Sequence, residues 1–189
     1  MFTRGSMMAR LALLVGISLV TMGNFAFCSF NSGPGGGTGL PGGPDGPGGN
    51  DSFRSTLVLR NVSGVETSSF VFGEAIRFDF AVENRTARQL RLSFPDAQTT
   101  DYLVVNQGTT QIRWMWSEGQ SFAQVATELV FEPYSTRSFS VTWNGNLSDG
   151  TNLPPGDYQA RGLMVFDGYE TNPLAPSELA APLVPFTVR

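Results

Sequence analysis

The stretch "AIRFDFAVEN", Ala75 to Asn84, decides the fold. Ile76, Phe78, Phe80 and Val82 fall on one face of an extended chain, and Arg77, Asp79 and Glu83 fall on the other. Successive side chains of a strand point to opposite sides of its sheet, so this alternation predicts a half-buried strand. Working outward, "RQLRLSF" repeats the pattern with Leu90, Leu92 and Phe94 inward and Arg91 and Ser93 outward. "TRSFSVTW" sets Phe139, Val141 and Trp143 against Ser138, Ser140 and Thr142. "STLVLRN", "DYLVVNQ", "TQIRWMW", "TELVFEP", "DYQARGLMVF" and "LVPFTVR" complete roughly nine strands. Turn signals at Asn84-Arg85-Thr86, Asn106-Gln107-Gly108 and Glu132-Pro133 punctuate them, and no long helical periodicity interrupts. The pattern predicts an all-β fold, an antiparallel β-sandwich over residues 53–189 with one solvated face per sheet.

Composition supports a folded domain and narrows its chemistry. The 189 residues are 41% hydrophobic and 15% charged, so most of the chain is able to form a core. The net charge of −4 argues against nucleic acid, whose phosphates need a basic surface. All 12 basic residues are Arg, and the chain holds neither Lys nor His. That removes the commonest general base, the commonest metal ligand and any Schiff-base lysine. The single Cys, Cys28, makes neither an internal disulfide nor a cysteine metal site.

The first 30 residues read as a targeting segment. Arg4 and Arg10 precede the apolar run "LALLVGISLV", Leu11 to Val20, and no acidic residue occurs before Asp45. This predicts export and admits three attachments. Cys28 after the apolar run suggests a lipidated N-terminus, although Phe27 stands where lipoprotein signals prefer a small residue. Cleavage after Gly23 or Ala26 would release the chain, and the uncharged stretch Leu11 to Phe30 would serve as an uncleaved membrane anchor. Residues 31–52, "NSGPGGGTGLPGGPDGPGGNDS", carry no side chains able to build a core and read as a flexible linker. Prolines interrupt any phosphate-binding loop there, and the Gly triplets are too few for a collagen helix. The expected organisation is a signal or anchor over 1–30, a linker over 31–52 and the sandwich over 53–189, placed at the cell envelope.

The segment "WNGNLSDGTNLPPGDYQARG", Trp143 to Gly162, raises the question of calcium. Counted from Asn144 as an EF-hand loop, the sixth position is Asp149 rather than Gly and the twelfth is Pro155 rather than Glu. The register fails, and the stretch reads as a hairpin. Trp143 would close one strand in the core, Gly145 and Asp149-Gly150 would turn the chain, and Tyr158 would open the next strand.

Three blocks in order now carry a resemblance. "FPDAQTTDYLVV" contributes Phe94, Pro95, Gln98, Asp101 and Tyr102. "IRWMWSEGQSFAQ" contributes Trp114, Trp116, Ser117, Gly119, Phe122 and Gln124, and the hairpin block contributes Trp143, Gly150, Pro154, Pro155, Gly156 and Tyr158. With "FDFAVENRTARQLRL" before them, these blocks resemble the BsuPI family over about Ile76 to Met164. The family is named for an intracellular proteinase inhibitor of bacilli. The resemblance implies an immunoglobulin-like β-sandwich and a serine proteinase as partner. It marks no inhibitory contact residue.

The residues themselves assign no catalytic, cofactor-binding or metal-ligating group. Ser117 lacks a His or Lys to activate it, so the chain is not expected to be an enzyme. Ile112, Trp114 and Trp116 share one face of a strand and read as core. Asp101 beside Tyr102 reads as the cap of a turn. The contact loop expected from these considerations is Ser117, Glu118, Gly119, Gln120, Ser121 and Phe122, rigidified at its base by Trp114 and Trp116. The longer loop Gly145–Pro155 would lose more entropy on binding. Neither loop holds Arg, which favours a subtilisin-like protease over a trypsin-like one. The alternative is an envelope docking module without inhibitory activity.

Overall fold

Ile76–Asn84 is a nine-residue strand, and Ile76, Phe78, Phe80 and Val82 are all buried in it. It lies in a computed structural model of the chain that describes residues 52–166 and 170–189. Cys28, the targeting segment and the linker up to residue 51 lie outside the described residues. Among the described residues ten strands occur and no helix: β1 (Phe53–Arg60), β2 (Ser69–Phe70), β3 (Ile76–Asn84), β4 (Leu90–Phe94), β5 (Thr100–Asn106), β6 (Ile112–Met115), β7 (Thr127–Phe131), β8 (Thr136–Trp143), β9 (Gly156–Met164) and β10 (Val184–Val188).

Two sheets form the sandwich. One has the order β1-β3-β8, the other β2-β10-β9-β5-β6, and β4 and β7 form a separate ribbon. Pairing is antiparallel except between β10 and β2, where Thr187 and Val188 run parallel to Ser69 and Phe70. Phe78, Phe80, Tyr102, Val104, Phe131 and Trp143 meet in the core between the sheets. Each such side chain contributes roughly 1.5–3 kcal/mol on full burial. Edge-on ring contacts link Phe78 to Tyr102 and Phe80 to Tyr102, joining the two layers.

Close approach of the layers depends on Gly162. A methyl group there would lie 2.9 Å from the Phe80 ring, so no larger residue fits without displacing an aromatic of the opposite sheet. Asn84, fully buried at the end of β3, donates through its amide to the carbonyls of Arg88 and Glu132, at 2.7 and 2.9 Å. Its Oδ1 accepts from the Thr86 N–H at 2.9 Å. One satisfied polar side chain thus ties the three-stranded sheet to the ribbon.

The five-stranded sheet departs from the expected solvated outer face. Leu103, Val105, Leu163 and Ala180 form a second apolar cluster, with Met115, Phe166, Leu174 and Leu183 packed against it. The chain after β9 returns beside that strand, with Met164 N–H bonded to Leu179 at 2.8 Å and Ala181 N–H to Gly162 at 2.9 Å. Arg161, only 6% exposed, points to this side. Its guanidinium donates to the carbonyls of Ala181, Ala175 and Pro173 at 3.0, 3.0 and 3.3 Å. Burial lowers its pKa from the usual arginine value. The cation binds the returning segment through backbone dipoles, and β5 and β9 are thereby covered on both faces.

Candidate functional site

The Ser117–Gln124 loop leaves β6 on an aromatic base. Trp114 stacks on Trp143 with ring centroids 4.7 Å apart and planes at 20°. Trp116 meets Tyr102 edge-on at 6.2 Å and receives Phe122 at 5.7 Å. The third residue of the sequence triplet behaves differently. A register shift between Val104 and Val105 sets Ile112 opposite Val105, and Ile112 is exposed while both Trp rings pack against the core.

Asp101 holds the start of the loop. Its side chain lies on the outer side of β5 yet is 1% exposed. The carboxylate accepts from the Ser117 N–H at 3.1 Å, the Ser117 hydroxyl at 2.6 Å and the Tyr102 N–H at 2.8 Å. Desolvation raises the Asp101 pKa above its ordinary value, and the bonds from Ser117, Tyr102 and Gln98 oppose that rise. Asp101 does cap a turn, but one sixteen residues away rather than its own. The turn continues with Gln120 N–H bonded to Ser117 at 3.0 Å and Gly119 at φ 76°. Ala97 N–H, bonded to Ala123 at 3.0 Å, fastens the far end. The loop presents Glu118, Gly119, Gln120 and Ser121 to solvent, while Phe122 is half-buried against Trp116.

The hairpin expected between paired strands is not what forms: β8 and β9 lie in different sheets, so the Asn144–Pro155 segment crosses from one sheet to the other and folds on itself into a small hairpin of its own. Asn146 and Asn152 bridge its arms, and Gly145 and Gly150 take φ of 78° and 80°. The Asp149 carboxylate accepts from the Thr151 hydroxyl at 2.6 Å and the Thr151 N–H at 2.9 Å, which lowers its pKa. That side chain serves the turn. The Trp143 indole N–H donates to Asn146 at 2.7 Å. The Tyr158 hydroxyl donates to the Pro154 carbonyl at 2.8 Å, the corner tyrosine typical of immunoglobulin-like sandwiches. The hairpin also reaches the first loop, since the Ser148 hydroxyl donates to the Glu118 carboxylate at 2.5 Å.

A third segment, Val71–Glu74 between β2 and β3, escaped sequence reading because β2 is too short for periodicity to register. It abuts the hairpin base. A methyl group on Gly145 would lie 3.1 Å from the Glu74 carbonyl, and one on Gly73 would lie 3.6 Å from the Asn152 amide. Turn, hairpin and loop therefore form one continuous strip. Among the described residues no three His, Cys, Asp or Glu side chains gather as a metal site. Among them also, no helix is long and apolar enough to cross a membrane. The Ser117 hydroxyl is committed to Asp101, so the arrangement fixes a loop rather than activating a nucleophile.

Two packed sheets, a corner tyrosine and clasped polar loops define an immunoglobulin-like sandwich suited to binding. The chain belongs to the BsuPI family, described as intracellular proteinase inhibitor, which it matches over residues 64–168. No curated protein matches the chain. Among solved structures, the C-terminal domain of Wzt is similar at 14% identity and TM-score 0.43, covering 73% of this chain and 74% of that one. A CARDB domain from Pyrococcus furiosus is similar at 13% identity and TM-score 0.36, covering 72% and 94%. A β-glucosidase from Erythrobacter marinus is similar at 12% identity and TM-score 0.40, covering 73% of this chain. The match spans only 15% of that glucosidase.

Proposed function

We propose that this chain is an exported protein, tethered at the cell envelope through its N-terminal segment or a lipid on Cys28, whose sandwich inhibits a subtilisin-like serine protease. Membership of a proteinase-inhibitor family supports the activity. The observation that carries the choice of surface is the clasp of Asp101 on Ser117, which orders the loop before a partner arrives. Ordering in advance lowers the entropy cost of association. In this reading Ser117, Glu118, Gly119, Gln120, Ser121 and Phe122 contact the protease. The absence of Arg from the loop favours enzymes that accept neutral or apolar residues.

Titration of the full-length chain against subtilisin and trypsin tests the activity. Inhibition of subtilisin alone is expected. Inhibition of neither supports the second reading, an envelope docking module without inhibitory activity. That reading draws support from the basic, apolar leader, which sits apart from the family's intracellular description. Intact-mass measurement of the mature chain tests attachment. A start at Cys28 with added lipid mass supports the lipoprotein, whereas an unprocessed cytosolic chain overturns both export and tethering.

A further inference from the structure

We propose that the Val71–Phe72 turn is the apolar anchor that enters the substrate cleft of the target protease. This inference rests on the inhibitor reading above and gives it an element that the Ser117–Gln124 loop lacks. A cleft that prefers apolar residues needs an exposed apolar side chain on a rigid support. In the loop that side chain would be Phe122, and Phe122 is already packed on Trp116. Val71 and Phe72, by contrast, are 68% and 49% exposed. Among the described residues Phe72 and Tyr134 are the exposed aromatic side chains. Tyr134 sits beyond the opposite end of the β3–β8 pair, where Glu83 faces Thr136, whereas the Val71 turn precedes Ile76, which faces Trp143.

The turn is built to hold these two side chains still. Phe70 before it and Ile76 after it are both fully buried. Glu74 N–H bonds to the Val71 carbonyl at 2.8 Å, closing a four-residue turn with Gly73 at φ 78°. The Glu74 carboxylate accepts from the Val71 N–H at 2.8 Å. Phe72 N–H bonds to Arg189 at 2.8 Å, and Arg189 N–H bonds to Phe70 at 3.0 Å. The amides of Val71, Phe72 and Glu74 are thus all engaged within the domain. Little freedom is left to lose on binding. The occupied amides also exclude pairing of this turn as an added strand in the cleft, so the contact is made by side-chain insertion, and the turn is not presented as an extended substrate. The hairpin, seated on Glu74 and bonded to Glu118, supplies the flanking polar rim that surrounds such anchors.

The test titrates subtilisin with the full-length wild-type chain, with Val71→Asp and Phe72→Asp, and with Gln120→Asp, after thermal melts show each variant folded. Both substituted side chains are exposed, so neither change disturbs the core. Weakening of inhibition by about thirtyfold or more for Phe72→Asp, the scale of an interface hot spot, supports the anchor. A wild-type chain that inhibits, with Val71→Asp and Phe72→Asp variants that inhibit equally well, overturns the anchor and leaves the inhibitor reading intact. A wild-type chain that does not inhibit overturns both. Cleavage of the turn by the protease would also overturn the insertion mode.

Discussion

The Asp101 carboxylate takes both the backbone N–H and the hydroxyl of Ser117, at 3.1 and 2.6 Å, across sixteen residues of chain. Removing it leaves these two donors and the Tyr102 N–H without their acceptor beneath the loop. Asp101→Ala is expected to cost about 2–3 kcal/mol, and Asp101→Asn, which keeps one acceptor and buries no charge, distinctly less. Urea denaturation of the two variants measures the difference, and equal losses would deny the clasp its role.

The same residue predicts a pH dependence. Burial raises the folded-state pKa of Asp101 above its ordinary value of 3.8. Between those two values the folded state holds more protons than the unfolded one, so stability falls as pH rises through that window. It is constant above the folded pKa. Asp101→Asn should remove this slope. Denaturation midpoints across the acidic range, wild type against variant, provide the check, and identical slopes would contradict it.

Trp143 is 3% exposed, stacked on Trp114 and bonded to Asn146. Trp143→Ala should destabilise the domain by about 3–5 kcal/mol, the range for a deleted core aromatic. Chemical denaturation reads this directly. An unchanged midpoint would mean that the indole does not fill the space between the sheets.

Gly162→Ala places a methyl group 2.9 Å from the Phe80 ring and should cost about 1–3 kcal/mol through overpacking. The double variant Gly162→Ala, Phe80→Leu should cost less than the two single losses added together. Simple additivity in a double-mutant cycle would refute the steric account.

Arg161→Met removes the donor shared by Pro173, Ala175 and Ala181. At least about 2 kcal/mol of local stability should go with it. Hydrogen exchange should quicken at Leu179–Leu183 and in the neighbouring part of β9 before it does in β3. Uniform acceleration throughout the domain would instead show that the returning segment unfolds only with the whole.

The strand faces were legible because one-sided burial writes a period of two into the chain. Ile76 to Val82 and Leu90 to Phe94 follow it without exception. Ser69–Phe70 was not legible, since two residues show no period and the partner, β10, lies more than a hundred positions later. The covered outer face of β5 left a trace in the unbroken run Leu103, Val104 and Val105, which suits a strand buried on both sides. Arg161 hid its own burial, because an arginine at an outward position reads as solvated until the carbonyls around it are seen. The Ser117 loop was visible as a polar interval. Its attachment to Asp101 was not, because nothing local in either segment specifies the other.

The parallel pairing of β10 with β2 sets an order in time. In the five-stranded sheet Val184–Val188 lies between β2 and β9, so the sheet cannot be completed until residues 184–188 have been synthesised. A growing chain emerging at about 5–20 residues per second therefore carries β2 for several seconds without its neighbour, although β1 and β3 are free to pair at once. Closure of this sheet waits on a long-range contact between β10 and β2. A sheet that stays open while the chain is being made exposes unpaired strand edges, and that is the form chaperones must guard.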